Sequence, residues 1–271
     1  MTTIGDVCHV LEQLAPLHLA EDWDNVGLLL GDRATGVTRA ITCLTLTADV
    51  AAEAVRCGAE LVVTHHPILF KPVKQITAAT AEGRMLSLLM RHAIAVYSPH
   101  TAWDNSAGGI NQQLAERLAL NEIRPLRPKP AVANEPAAGT GSGRYGTLSQ
   151  PLSLRELNLQ IARELQQPFL QTVGDASLIV ERLGIACGAA AEFLSDAHRL
   201  GCQALLTGEA RFHACLEARE RGMGLILPGH YATERFSMEV LARQLGDHFT
   251  DLVVQASESE RDPVMTLSAS P

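Results

Sequence analysis

The sequence predicts an α/β protein built from two pseudo-symmetric α/β lobes. Three observations lead there. Aliphatic strand-like runs alternate with helical patterns along most of the 271 residues. The alternation breaks at one Pro- and Gly-rich stretch, residues 121–146. The sequences on either side of the break read as a repeat: "AAEAVRCGAELVVTHH" and "SDAHRLGCQALLTGE" both run helix, glycine stop, then an aliphatic strand ending in threonine and polar residues.

The elements follow in order. Ile4, Val7, Leu11 and Leu14 form one stripe of an amphipathic first helix. "EDWDNVGLLLGD" (21–32) sets four acids and Asn25 around Trp23 and reads as a loop with an Asp–Asn turn before a strand. "AITCLTLT" (40–47) is a strand, and 48–58 a helix closed by Gly58. "AELVVTHH" is the next strand, 83–93 a helix, "IAVYSPH" (94–100) a strand and 108–120 a helix. After the interruption come a helix at 153–166, a strand region at 178–188, the helix "AAEFLSDAHRLG", the strand "QALLTGE" and a last helix at 232–246. The tail "SESERDPVMTLSASP" reads as polar and frayed. This reading divides the chain into an N-terminal lobe, 1–125, and a linker with the C-terminal lobe, 126–271.

Composition removes several function classes. Hydrophobic residues make up 46% and charged residues 19%, enough for a sizeable core. Aromatics at 4% and a net charge of −8 argue against a general nucleic-acid footprint. No run reaches membrane-spanning length, and the start has no basic segment before an apolar block. Six cysteines without C-x-x-C spacing suit reduced thiols, so the chain reads as cytoplasmic. Neither a phosphate-binding glycine loop nor a G-x-S-x-G elbow is present.

In open α/β sheets, ligands bind beyond the carboxyl ends of the strands. There the sequence gathers His65 and His66, then His100 and Asp104, then Gly208 and Glu209, then His230 and Glu234. Aligning His100 on His230 sets Asp104 opposite Glu234, each four residues after its histidine. A lone histidine at a strand end is ordinarily a hydrogen-bonding or capping residue. The four histidines with Asp104 and Glu234, at the ends of three strands, point instead to a shared N/O donor set suited to Zn, Mn, Fe, Co or Ni. Adjacent residues on a strand face opposite ways, so His65 and His66 are expected to serve different ions. Pro67 holds His66 extended. His213 lies a turn after Glu209 and reads equally as a cleft residue or a cap.

"DWDNVGLLLGD", "VVTHHPILF", "SPHTAWDN", "LLTGE" and "GHYATER" together resemble, in order, the signature segments of the GTP cyclohydrolase 1 type 2 family, the NGG-interacting-factor-like dinuclear-metal proteins. The resemblance covers most of residues 1–120 and 175–245, in the compact form without a mid-chain inserted domain. It implies a dinuclear metal site in the cleft between two lobes, with His65, His66, Asp104, His230 and Glu234 as ligands of two divalent ions and His100 as a proton-transferring cleft histidine. It also implies a toroidal homohexamer with a small nucleotide-like substrate. The activity implied is a hydrolase reaction: opening of the imidazole ring of GTP with release of formate. The alternative is a metal-binding regulatory or interaction protein without that activity.

Overall fold

The structure is a computed structural model and describes residues 1–130 and 139–265. Its strands, in chain order, are β1 (Gly27–Leu30), β2 (Arg39–Thr45), β3 (Leu61–His66), β4 (Ala95–Ser98), β5 (Asn121–Arg124), β6 (Arg127–Pro128), β7 (Gly141–Ser142), β8 (Arg144–Ser153), β9 (Gln171–Val173), β10 (Ile179–Ala186), β11 (Ala204–Thr207), β12 (Gly224–Leu227) and β13 (Val253–Ala256). The α-helices are α1 (Ile4–Leu14), α2 (Ala48–Cys57), α3 (Ala81–Arg91), α4 (His100–Asn105), α5 (Ile110–Arg117), α6 (Leu154–Glu164), α7 (Leu194–Arg199), α8 (Phe212–Glu220), α9 (His230–Glu234) and α10 (Phe236–His248).

The chain forms two compact units that interleave in sequence. The first takes Met1–Trp103 and Arg235–Pro263, the second Asp104–Glu234 and Val264–Pro271. These bounds differ from the 125/126 division read from composition. The reason is long-range pairing: β13 lies parallel to β2, with Val253 opposite Arg39 and Ala256 opposite Thr42, and so returns the last strand to the first sheet.

The first unit holds a five-stranded sheet in the order β1-β4-β3-β2-β13. β4, β3, β2 and β13 are parallel, and β1 closes the edge antiparallel. Parallel strands buried on both faces must be aliphatic throughout. Accordingly Ile41, Cys43, Val62 and Val96 pack with Val50, Ala54, Leu86 and Leu89 of the crossover helices. Local signals set the helix ends. Thr3 and Asp6 make a reciprocal capping box for α1, and Thr47 caps α2 instead of ending the strand before it. Gly58 adopts the left-handed conformation that stops α2, as its position in the sequence predicts.

The second unit holds a six-stranded sheet in the order β5-β8-β10-β11-β12-β9. β10, β11 and β12 are parallel, while β8 and β9 flank them antiparallel. Phe193, Leu194 and Ala197 pack on Leu205, Ala218 and Leu225. The stretch read as a connection contributes three strands: β5 pairs with β8, and the small pair β6–β7 lies between them in sequence. Its residues 131–138 lie outside the described residues. Arg144 ties the described residues at the end of this stretch to the unit's core. Its fully buried guanidinium donates to the carbonyls of Ser106, Gly139, Gly141 and Gly143 and to Gln112 Oε1, at 2.6–2.9 Å.

The frayed tail is also corrected over its first residues. Buried Glu260 accepts from the backbone N–H groups of Leu44 and Thr45, and Glu53 accepts from the Ser257 hydroxyl and from the N–H groups of Glu258 and Ser259. The polar pattern predicts fraying, whereas Glu260 binds backbone groups that the sheet leaves over. Residues 266–271 lie outside the described residues.

Candidate functional site

In the first unit the carboxyl ends of β3 and β4 carry His65, His66 and His100. Each offers one nitrogen, and these atoms lie within 4.8 Å of one another. The rings of His65 and His66 are 5.1 Å apart, and each stands 5.2 and 5.8 Å respectively from His100. The expected opposite-facing imidazoles are therefore not what forms. His66 is the last residue of β3, opposite Thr45 on β2, and its side chain leaves the sheet on the same face as that of Thr45. His66 Nδ1 is fixed at 2.7 Å by the Thr45 hydroxyl.

His100 begins α4 with φ = +28°, a backbone strain that a non-glycine residue adopts only when its surroundings enforce it. The enforcing group is Asp24, whose side chain is wholly buried. Its Oδ1 lies 2.7 Å from His100 Nδ1, and its Oδ2 accepts from the N–H and hydroxyl of Thr101. Burial by itself would raise this carboxyl. The hydrogen bonds from His100 and Thr101 outweigh it and hold the group down at about 2.

In the second unit the matching position is filled by His230, the first residue of α9. Its Nδ1 lies 2.9 Å from Glu209 Oε1 and its Nε2 3.0 Å from Glu234 Oε2. The bond to Glu234 raises the imidazole most, burial opposes it, and the charges of Glu234 and Glu209 carry it up to about 9. Glu234 is almost fully buried. Space for its carboxylate exists because residue 188 is a glycine: a Cβ there would sit 2.3 Å from Glu234 Oε1 and 3.2 Å from His230 Nε2. Gly188 also has φ = +70°, and its N–H donates to Thr233 Oγ1.

Asp104 belongs to the same unit. Its carbonyl accepts from Asn111 Nδ2, while Asn111 Oδ1 accepts from the N–H of Cys187. The Cys187 thiol is pushed well above its ordinary range, first by burial and then by the negative charges of Glu234 and Asp104. Both carboxylates therefore bear on one neighbourhood.

Of the residues singled out in the sequence, the first unit brings His65, His66 and His100 together. The second joins His230 to Glu234 and sets Asp104 near Cys187 with Glu234. His213 is exposed, with its ring 6.1 Å from Phe212. Two orienting carboxylates went unassigned. Glu209 sits visibly at a strand end, but Asp24 lies 76 residues from its histidine and was read as a turn former.

An imidazole trio in one unit and an imidazole–carboxylate pair in the other form the borderline N/O donor chemistry that suits Zn, Mn, Fe, Co or Ni. The residues fit such an ion by their donor chemistry, and the missing Cβ at residue 188 is what lets the Glu234 carboxylate sit beside His230 Nε2. Among the described residues no helix is long and apolar enough to cross a membrane.

A family model described as Duf34/NIF3 (NGG1p interacting factor 3) matches residues 2–263. A protein of Clostridium perfringens named GTP cyclohydrolase 1 type 2 homolog is 31% identical over 261 residues, covering 96% of this chain and 98% of its own length. The NIF3-like protein 1 of Drosophila melanogaster is 33% identical, covering 98% and 90%. Among solved structures, a Bacillus cereus protein related to NIF3 superimposes with a TM-score of 0.89 over 98% of this chain and 99% of its own, at 19% identity, and so shares the fold.

Proposed function

The chain belongs to the Duf34/NIF3 family, and from that premise we propose that it is a metal-dependent hydrolase of a nucleotide or related metabolite. The reaction we assign first is opening of the imidazole ring of GTP with release of formate, after the name its relatives carry. One observation carries the reading: three imidazoles gather their nitrogens within 4.8 Å at the carboxyl edge of a parallel sheet.

In this proposal His65, His66, Asp104, His230 and Glu234 hold two divalent ions. When bound, such ions supply Lewis-acid polarisation of substrate and activation of water at neutral pH. The chain's own residues do the remainder. Asp24 engages His100 at Nδ1 and fixes its tautomer, so Nε2 is the atom through which His100 takes up and returns a proton. Glu209 engages His230 at Nδ1 and orients its Nε2 for ligation, the orienting role that a carboxylate commonly plays behind a ligating histidine. Thr45 does the same for His66. The same reading makes the protein a cytoplasmic toroidal homohexamer, which sedimentation analysis would check.

The test is to measure metal per chain by elemental analysis and then GTP consumption and formate release by the metal-loaded protein. Saturable metal binding that is lost in Asp104→Ala supports the ligand set. Unchanged metal affinity in that variant removes Asp104 from it. A metal-loaded protein that leaves GTP intact sinks the cyclohydrolase reaction and favours the alternative, a metal-binding regulatory or interaction protein.

A further inference from the structure

Aromatic side chains make up only 4% of the sequence, yet two of them stand exposed beside the imidazole cluster. Trp23 is 62% exposed and Phe70 48%. Their rings meet edge to face with centroids 5.9 Å apart at 75°, and both approach His100, at 6.1 and 6.4 Å. Single apolar residues scattered over a surface need no explanation, but two adjacent rings on the rim of a polar cluster do.

The loops that present them are anchored. On one side of Trp23, the N–H of Glu21 donates to Thr101 Oγ1 at 3.0 Å; on the other, Asp24 is tied to His100 and Thr101. Asn25 then crosses to the second loop, its Nδ2 donating to the carbonyl of Leu69 at 3.1 Å. Leu69, just before Phe70, has φ = +56°, a strained conformation for a branched aliphatic residue. A stacking surface needs rings that are exposed and already held in place, since ordering them on binding would consume the gain. None of the three rings is stacked parallel on another, so a flat molecule entering beside them meets an aromatic face.

We propose that Trp23 and Phe70 form a stacking subsite that binds the planar heteroaromatic ring of a substrate and brings it against His100. This deepens the proposed function and rests on the reading of the imidazole cluster as a reaction site. It restricts the substrate to molecules with a flat ring system, such as a purine, and excludes sugar phosphates lacking one.

The test uses guanosine monophosphate and, as a ring-free control, ribose 5-phosphate, with tryptophan emission as the readout. The chain has two tryptophans, and Trp103 is fully buried with its indole N–H on Ser237, so quenching by an added ring reports Trp23. Saturable quenching by guanosine monophosphate and none by ribose 5-phosphate is expected. In equilibrium dialysis Trp23→Ala should weaken guanosine monophosphate binding about tenfold or more, Phe70→Ala should also weaken it, and Trp23→Phe should restore most of the loss. No saturable quenching, equal binding of the two compounds, or unchanged binding by Trp23→Ala would overturn the proposal. A change of assembly size in Trp23→Ala with ring binding intact would reassign the pair to a subunit contact. Metal content measured in the same samples separates the two readings: protein that discriminates the ring but holds no metal keeps this subsite and loses the proposed hydrolase.

Discussion

The two units repeat one topology and finish it with different chemistry. In the first, β1 runs antiparallel to β4, and β4, β3 and β2 lie side by side; in the second, β9, β12, β11 and β10 do the same in the same order. In each, the strand next to the antiparallel edge leads into a short helix whose first residue is histidine, His100 or His230. The neighbouring strand ends differ: Thr64-His65-His66 in one, Thr207-Gly208-Glu209 in the other. The first unit thereby gathers nitrogen and recruits its orienting carboxylate, Asp24, from a distant loop. The second carries its carboxylates at hand and leaves His230 between two of them. The comparison teaches that the scaffold fixes where the histidine goes, while the adjoining strand end and loops decide which carboxylates hold it.

The largest way to break the comparison is to remove the charge that holds the second unit's end together. Arg144→Met strands four backbone carbonyls, three of them buried, and should destabilise that unit by about 3 kcal/mol or more, read as a shift in denaturant midpoint. Next come the two orienting acids. Glu209→Gln is expected to lower metal affinity about 10–100-fold, and Asp24→Asn to lower turnover by a similar factor at unchanged metal content. If both variants lose metal equally, the division of labour between the units is wrong.

A smaller effect sharpens the first unit's side. Burial raises Glu53, but its bonds from Ser257, Glu258 and Ser259 outweigh this and set its carboxyl below the ordinary glutamate range. A depressed carboxyl stabilises fully above its unfolded value, and that stability drains away as the pH falls through the folded one. Thermal melts should show wild type losing more stability than Glu53→Gln as the pH drops below the ordinary glutamate range. The smallest effect belongs to the exposed pair Arg221–Glu217, 2.8 Å apart one helical turn away from each other. Arg221→Ala should cost under about 1 kcal/mol in the same melts.

Much of this was legible in the residues. The helix–glycine–strand repeat, the stops at Gly58 and the polar strand ends are local patterns, and local patterns survive into the fold because they match the strand and helix periods. The rest depended on partners far away in sequence. Nothing near Asp24 announces His100; nothing near Glu260 announces the backbone of Leu44. β8 was hidden because a long, partly exposed antiparallel strand carrying glycine and proline lacks the aliphatic run of a buried one. The approach of His65 and His66 to each other and to His100 is a tertiary feature of the ends of β3 and β4, which the alternation along one strand does not report.

The return of β13 to the first sheet has a consequence for biosynthesis. A chain emerging in order presents Asp104–Glu234 complete before Val253–Ala256 exist. Until those four residues and Ser257–Ser259 after them leave the ribosome, β2 carries an unpaired edge and Glu53 lacks the partners it has in the fold, even though the first hundred residues were made first. The segment made earliest thus waits for a strand made near the end of the chain, and a nascent chain stalled between the two points would expose an aliphatic edge for chaperones to cover.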